Sequence, residues 1–364
     1  MDFYDYWILK TNVSYKIKTA LIKEFGTSKN VFEQLIGNGN LSYINLNECD
    51  KFKTTYEFLK NNFDIDDYNL KLEKNNIKFV RFDDEIFPEK LKNIDDIPFG
   101  LFYRGNLSLA NEYCISVIGT RNSTPYGEEV CKRISKEICM NEVGIVSGGA
   151  RSIDILSHKI CLENQGKPIC VLGSGILNYY PKENSIYFDE IGKSGCLISE
   201  YDLYAKPDRF NFPERNRIIA ALGDGLIVVE AKEKSGTMIT VKYALDYGKD
   251  IAAIPGPIFW QTSLGCNKII KDGAFIISEI NDIYEIFKLK GNKSKTNSSI
   301  YKKLFEDPVK FKVFSMIKNK PCNVDEIANE SNIPITQLYK TLFELEYLNL
   351  IESSSGNFYQ IKSM

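Results

Sequence analysis

Five apolar runs in the chain end in small or polar residues: Gly119-Thr120-Arg121 after ISVI, Ser147-Gly148-Gly149 after GIV, Gly173-Ser174-Gly175 after ICVL, Ser199-Glu200 after CLI, and Pro255-Gly256-Pro257 after IAAI. If the runs are parallel strands, these residues stand at the carboxyl ends, where an open sheet binds its ligand. Glycine there lets backbone approach a ligand, and helix N-termini supply oriented N–H donors for phosphate. One glycine turn carries no such meaning, because strand-to-helix turns favour glycine whatever the function. Several in a row, with Arg121 and Arg151 beside them, point to a phosphate-binding crevice.

The usual nucleotide motifs are missing. No GxGxxG follows any of the runs, and Gly192-Lys193-Ser194 lacks the glycine a Walker A loop needs five residues earlier, where Tyr187 stands. A GxSxG elbow is also absent. A second constellation, KPDRFNFPERNRIIAAL from Lys206, sets Lys206, Arg209, Arg215 and Arg217 among Phe210 and Phe212. Cations that neutralise phosphate, interleaved with rings that stack on bases, suit single-stranded nucleic acid. The same phenylalanines could instead be core anchors, and Arg215 a structural bridge. His158 is the only histidine and lies four residues after Asp154, on the same side of a helix. An orienting hydrogen bond near the crevice fits it better than catalysis, and it has no partners for a metal.

Short apolar runs separated by helical stretches fill residues 76–287, among them IKFVRF, GLIVVEA and AFIISE. Runs without alternation belong to strands buried on both faces, so the expected fold is α/β, an extended Rossmann-like parallel sheet covered by helices. Residues 1–70 read as a small helical module of the SAM or helix-hairpin type. KLKGNKSKTNSSI, residues 288–300, reads as a polar linker. Residues 301–364 carry a helix, a break at Pro334, a second helix and a glycine-centred turn, the pattern of a winged-helix domain. Its second helix ends in Glu344 and Glu346 and holds only Lys340, so protein contact suits this domain better than DNA.

The net charge of −2 offers no general attraction to phosphate, so any nucleic-acid site must be locally basic. The 9 cysteines include no CxxC pair and read as reduced core thiols of a cytoplasmic protein. MDFYDYWILK has no basic signal-peptide start, and no apolar run reaches membrane-spanning length.

ISVIGTRNSTPYG, GIVSGGARSIDILSH, ICVLGSGILNYYPKEN, LISEY, FPERNRIIAAL, EAKEKSGTMIT and IPGP…GCNKIIKDGA resemble, in order, blocks of the DprA/Smf DNA-processing family. One departure is Ser152, where the family usually has glycine after GGAR. The resemblance implies a homodimer, formed through the Rossmann-like domain, that binds single-stranded DNA and loads the RecA recombinase on it during natural transformation and recombination. It implies no cofactor, metal or catalytic residue. Its implied phosphate contacts are Arg121, the turn Ser147 to Arg151, Arg209 and Arg217, with Phe212 against a base. The full candidate set is Gly119, Thr120, Arg121, Ser147, Gly148, Gly149, Arg151, Arg209, Phe212, Arg215, Asn216, Arg217, Lys234, Ser235, Gly236 and Thr237. The rival readings are a nucleotide-binding sensor and a nucleoside-monophosphate phosphoribohydrolase of the LOG type. EKSGTMIT keeps the Gly-Thr of that enzyme signature but has no glutamate after it to steady a glycosyl cation.

Overall fold

The computed structural model of the chain describes residues 1–38, 45–289, 307–348, 350–354 and 357–361. They fall into two units, Met1–Lys290 and Gly291–Met364. From residue 290 onward, the linker expected over 288–300 lies outside the described residues.

The N-terminal helices are α1 Phe3–Lys10, α2 Tyr15–Phe25, α3 Ser28–Phe32 with a π-helical turn after it, α4 Leu46–Asn62 and α5 Ile65–Lys74. Short polar side chains start them: Asp2, Ser14, Thr27, Asn45 and Asp64 each accept a backbone amide of the first turn. These helices have no separate core. Trp7, Phe52 and Tyr68 belong to the same apolar cluster as Phe102 and Leu197 of the sheet. Asp202, in the loop after the strand holding Leu197, accepts from Tyr6 (2.9 Å), Tyr68 (2.7 Å) and Lys10 (2.8 Å), tying α1 and α5 to that loop.

The sheet strands are β1 Lys78–Arg81, β2 Gly100–Gly105, β3 Cys114–Ile118, β4 Gly144–Ser147, β5 Lys167–Leu172, β6 Cys196–Ser199, β7 Gly225–Val228, β8 Asp250–Ala253 and β9 Phe275–Ile276. Their spatial order is β1-β2-β6-β5-β4-β3-β7-β8-β9. From β6 to β9 every pairing is parallel, whereas β1 and β2 are antiparallel additions at one edge. Alternation splits the core between the two faces: Cys114 and Val146 point to the cluster shared with the N-terminal helices, Ile115 and Ile145 to the other. The main covering helices are α6 Glu89–Lys92, α7 Pro125–Met140, α8 Ile153–Glu163, α9 Ser185–Ser194, α10 Asn211–Leu222, α11 Gly236–Asp246, α12 Leu264–Lys271 and α13 Asp282–Ile286. After β3 the chain winds one way to β6, then returns to place β7 on the other side of β3. The order therefore reverses between β3 and β7.

Eight cysteines are buried, Cys49 is half-buried, and all are free thiols. Among the described residues no helix is long and apolar enough to cross a membrane. The second unit contains α14 Pro308–Asn319, β10 Cys322–Asn323, α15 Val324–Ser331, α16 Ile335–Tyr347, β11 Ile351–Ser354 and β12 Phe358–Ile361. Asn332 in the left-handed region ends α15, and Pro334 precedes α16. Val313, Ile327, Leu338 and Leu342 form this unit's own core.

His158 on α8 is completely buried, and neither ring nitrogen has a hydrogen-bond partner of good geometry among the described residues. The orienting hydrogen bond expected from the sequence is reduced to a poorly aligned contact with the Ser147 backbone. Burial pulls its pKa down to about 4, with only the Ser147 backbone opposing. The unfolded imidazole titrates near 6.5, so the unfolded chain binds the proton more tightly and stability falls as pH drops from about 6.5 towards 4. His158→Leu is expected to remove about 2 kcal/mol of the stability difference between pH 7 and pH 5. Urea denaturation of both proteins at the two pH values measures it, and an unchanged difference would contradict the buried, neutral imidazole.

Candidate nucleic-acid interface

A cleft of about 820 Å³ opens at the carboxyl ends of β3 and β7. This is the reversal point, where the loops after two adjacent strands run to opposite faces of the sheet and leave a crevice between them. Gly119–Asn122 after β3 form one wall, and Lys232 and Ser235–Thr237 after β7 form another. Ala150, Arg151 and Asp154 contribute from the start of α8, and Pro207, Arg209, Phe212, Arg215 and Asn216 from the segment entering α10.

Side-chain hydrogen bonds hold the walls. Glu230 accepts from the Thr124 amide (2.9 Å) and hydroxyl (2.6 Å), fixing the start of α7, and its carbonyl accepts the Thr120 amide (2.8 Å). Thr237 donates to the Gly119 carbonyl (3.1 Å), joining the start of α11 to the β3 loop. No side chain caps the N-terminus of α11; the Ser235 hydroxyl instead bonds the Lys232 carbonyl (2.9 Å). The first turn of that helix thus presents amides to the cleft beside Lys232, a favourable place for an anion.

Phe212 is the centre of the aromatic part. Its ring packs on the backbone of Gly173, where a Cβ would come within 2.6 Å of it. Tyr180 lies 5.5 Å away, and the Arg121 guanidinium stands 5.4 Å over the ring face. Arg121 and Arg209 are exposed, and Arg209 lies 4.7 Å over the ring of Phe210. Arg151 is exposed as well, paired with Glu183.

Arg215 lines the cleft but is buried. It donates to the carbonyls of Gly148 (2.9 Å) and Val171, and a Cβ on Gly148 would strike its guanidinium at 2.7 Å. Burial pulls its pKa down, with Asp154 opposing. Asp154 is buried at the cleft floor; desolvation pushes its carboxyl up against the pull of Arg215 and the Gly119 amide.

The structure corrects part of the expected set. Arg217 is not in the cleft. It is fully buried on the far side of α10, in a two-pronged pair with Glu200 (2.6 and 2.8 Å), donates to the Asp96 carbonyl (3.0 Å), and stacks 4.7 Å over Tyr15 of α2. Residues two apart on a helix point in nearly opposite directions, so Arg215 and Arg217 cannot serve one site. Ser147 is also buried, its hydroxyl bonding the Val117 carbonyl (2.7 Å). Gly148 and Gly149 accept from Arg215 and Asn184 behind the cleft surface, and Lys234 is exposed outside the lining. Gly119, Thr120, Arg121, Arg151, Arg209, Phe212, Arg215, Asn216, Ser235, Gly236 and Thr237 do come together. Sequence reasoning passed over Lys232 and Tyr180; Lys232 sat in a mixed-charge run that reads as solvated surface. At Ser152, φ is +70°, a region that favours the family's glycine. Its hydroxyl is bonded with Ser123, accepting that residue's amide at 3.0 Å, so the serine joins two cleft loops.

A doubly wound sheet, with guanidinium groups, a helix start and a ring gathered at its reversal point, defines a Rossmann-like protein. The sequence model of DNA recombination-mediator protein A matches residues 78–288, and the chain belongs to that family. The DNA processing protein DprA of Streptococcus pneumoniae is 35% identical over 288 residues, 79% of this chain and 100% of the relative. Protein Smf of Escherichia coli is 31% identical over 296 residues, 80% of this chain and 79% of the relative. The crystal structure of the S. pneumoniae protein superposes with a TM-score of 0.68 at 33% identity, covering 78% of this chain and 98% of that one. DNA processing protein A from Helicobacter pylori, solved to describe its single-stranded DNA binding mode, gives 0.53 at 27% identity over 58% of this chain and 96% of its own. The names of these relatives mark the family as one of DNA-processing proteins.

Arg217→Ala would leave the Glu200 carboxylate buried without a partner. It is expected to cost about 3–5 kcal/mol of stability in urea denaturation. Arg217→Met with Glu200→Leu should recover most of that loss, since the pair is replaced by apolar groups. A cost near zero for the single change would mean that the pair does not hold this side of α10.

Proposed function

We propose that the chain binds single-stranded DNA in the cleft and loads the RecA recombinase on it, in DNA uptake and recombination. The observation that carries the DNA reading is Phe212, held on Gly173 with Arg121 across its face and Arg209 exposed close by. A ring held among exposed cations suits a base of any identity, with the flanking phosphates on those cations. The S. pneumoniae and H. pylori relatives bring the DNA-processing role, and the second of them brings the single strand. Delivery to RecA is drawn from the family resemblance.

A homodimer through the Rossmann-like unit is part of this reading. β9 sits at the end of the sheet with Phe275 and Ile276 about half exposed, an apolar edge suited to a second copy. Two clefts on one strand then gain affinity without new contacts. The second unit, with the order helix, strand, helix, helix and hairpin, is read as a winged helix that meets protein. The chain works in the cytoplasm without a cofactor. The phosphoribohydrolase reading finds little support: the carboxylate lining the cleft, among the described residues, is Asp154, already engaged with Arg215.

Arg121→Ala and Arg209→Ala are each expected to weaken single-strand binding across sequences and to lower the salt slope by about one. Fluorescence titration over a salt series reads both effects; an unchanged slope would remove the cleft from the DNA path, and tight mononucleotide binding would favour a sensor. Ending the chain before Tyr301 should leave most single-strand affinity in place. If filter binding with that shortened chain collapses, the second unit is the DNA reader instead.

A further inference from the structure

The loop after β8 is one of the original five strand ends that do not line the cleft. It displays three large apolar side chains in a row: Ile258 is 70% exposed, Phe259 89% and Trp260 46%. The display is built, not slack. Asn267 clamps both backbone groups of Gly256 (3.2 and 2.9 Å), Trp260 donates its amide to Pro257 (3.0 Å), and Ser263 donates to Trp260 (2.9 Å). The Thr262 carbonyl accepts the Ala231 amide at 2.8 Å, and the next residue, Lys232, lines the cleft. On the α7 side, Tyr126 is 45% exposed and its hydroxyl bonds the Pro255 carbonyl at 3.3 Å.

These rings lie at the same carboxyl edge of the sheet as the cleft. β8 is two strand positions from β3, a separation of about 10 Å. Aromatic faces therefore continue along that edge: Tyr180 and Phe212 on one side of the reversal point, Tyr126 and then Phe259 and Trp260 on the other. Lys232, in the cleft lining and next to the residue that bonds Thr262, and Lys234, two residues on, are both exposed. A solvent-facing phenylalanine and tryptophan on a backbone-braced loop, with lysines on the adjoining loop, suit unpaired bases, whose stacking asks for no particular sequence.

We infer that the loop Pro257–Gln261 is a second base-stacking site, on which a single strand leaving the cleft past Lys232 lays its next bases against Phe259 and Trp260. The inference rests on the cleft's binding single-stranded DNA, and the test separates the two. The probes are oligothymidylates of roughly 5 and roughly 20 nucleotides, which bracket common single-strand site sizes. The chain has two tryptophans, and Trp7 is fully buried with its indole N–H on the Phe52 carbonyl, so quenching by DNA reports Trp260.

The longer probe should quench tryptophan emission, and Trp260→Phe should abolish that quenching. Phe259→Ala should bind the longer probe roughly 5- to 150-fold more weakly, the equivalent of losing one stacked base, and leave the shorter probe unaffected. Arg121→Ala should weaken both lengths. Wild-type affinity of Phe259→Ala and Trp260→Ala for the longer probe, or unchanged emission on Arg121-dependent binding, overturns the second site and leaves the cleft standing; a loop that serves a protein partner gives this result. Unchanged binding of both lengths by Arg121→Ala overturns the cleft reading and the second site with it.

Discussion

The ion pair between Arg217 and Glu200 sets the position of nearly everything that matters in the cleft. Arg217 belongs to α10, Glu200 to the end of β6, and the pair is roofed by Tyr15 of α2. Burial pulls the guanidinium's pKa down, but the Glu200 carboxylate more than offsets that and holds it above its ordinary value. The pair thus fixes α10 in rotation. The opposite face of the same helix then carries Phe212, Arg215 and Asn216 into the cleft. Arg215 completes the lock by reaching under the helix to the backbones of β5 and the β4 turn. Two arginines in one motif divide the labour, one bracing each side, while the free charges come from Arg121, Arg209 and Lys232.

That division answers the difficulty posed by the net charge of −2. Attraction for phosphate need not come from the whole surface when cations are grouped at a reversal point with a helix start aimed at the same space. Nor does the buried acid in the cleft spoil the site. Asp154 lies at its floor beside Arg215 and works inward, while the exposed guanidinium groups work outward.

Much of this was legible in the residues. Apolar runs without alternation revealed the parallel strands, and their glycine-rich ends marked the crevice. β2, GLFYRG, escaped notice because antiparallel neighbours need no crossover helix, so the strand–helix rhythm that exposed the others is missing around it. The placement of Arg217 could have been read, since a two-residue offset on a helix separates the side chains of Arg215 and Arg217 by more than half a turn. Ser147 gave less warning: a serine at a strand end looks the same whether it meets a ligand or, as here, the carbonyl of a neighbouring strand. Lys232 needed the tertiary structure, for only the pairing of Ala231 with Thr262 turns it towards the cleft.

The shared core beneath the N-terminal helices has a consequence for what counts as a part of this protein. The stretch that the family's sequence model matches, 78–288, begins just after α5, yet Tyr6, Trp7 and Tyr68 lie in one apolar mass with the sheet, and Asp202, inside that stretch, accepts from Tyr6 and Tyr68 before it. Kinship and cooperativity therefore draw different boundaries. A chain cut where the family model's match begins would carry a raw apolar wall, and the brace over Arg217 would leave with Tyr15. The helices at the start of this chain are a structural member of a cleft whose lining they do not supply.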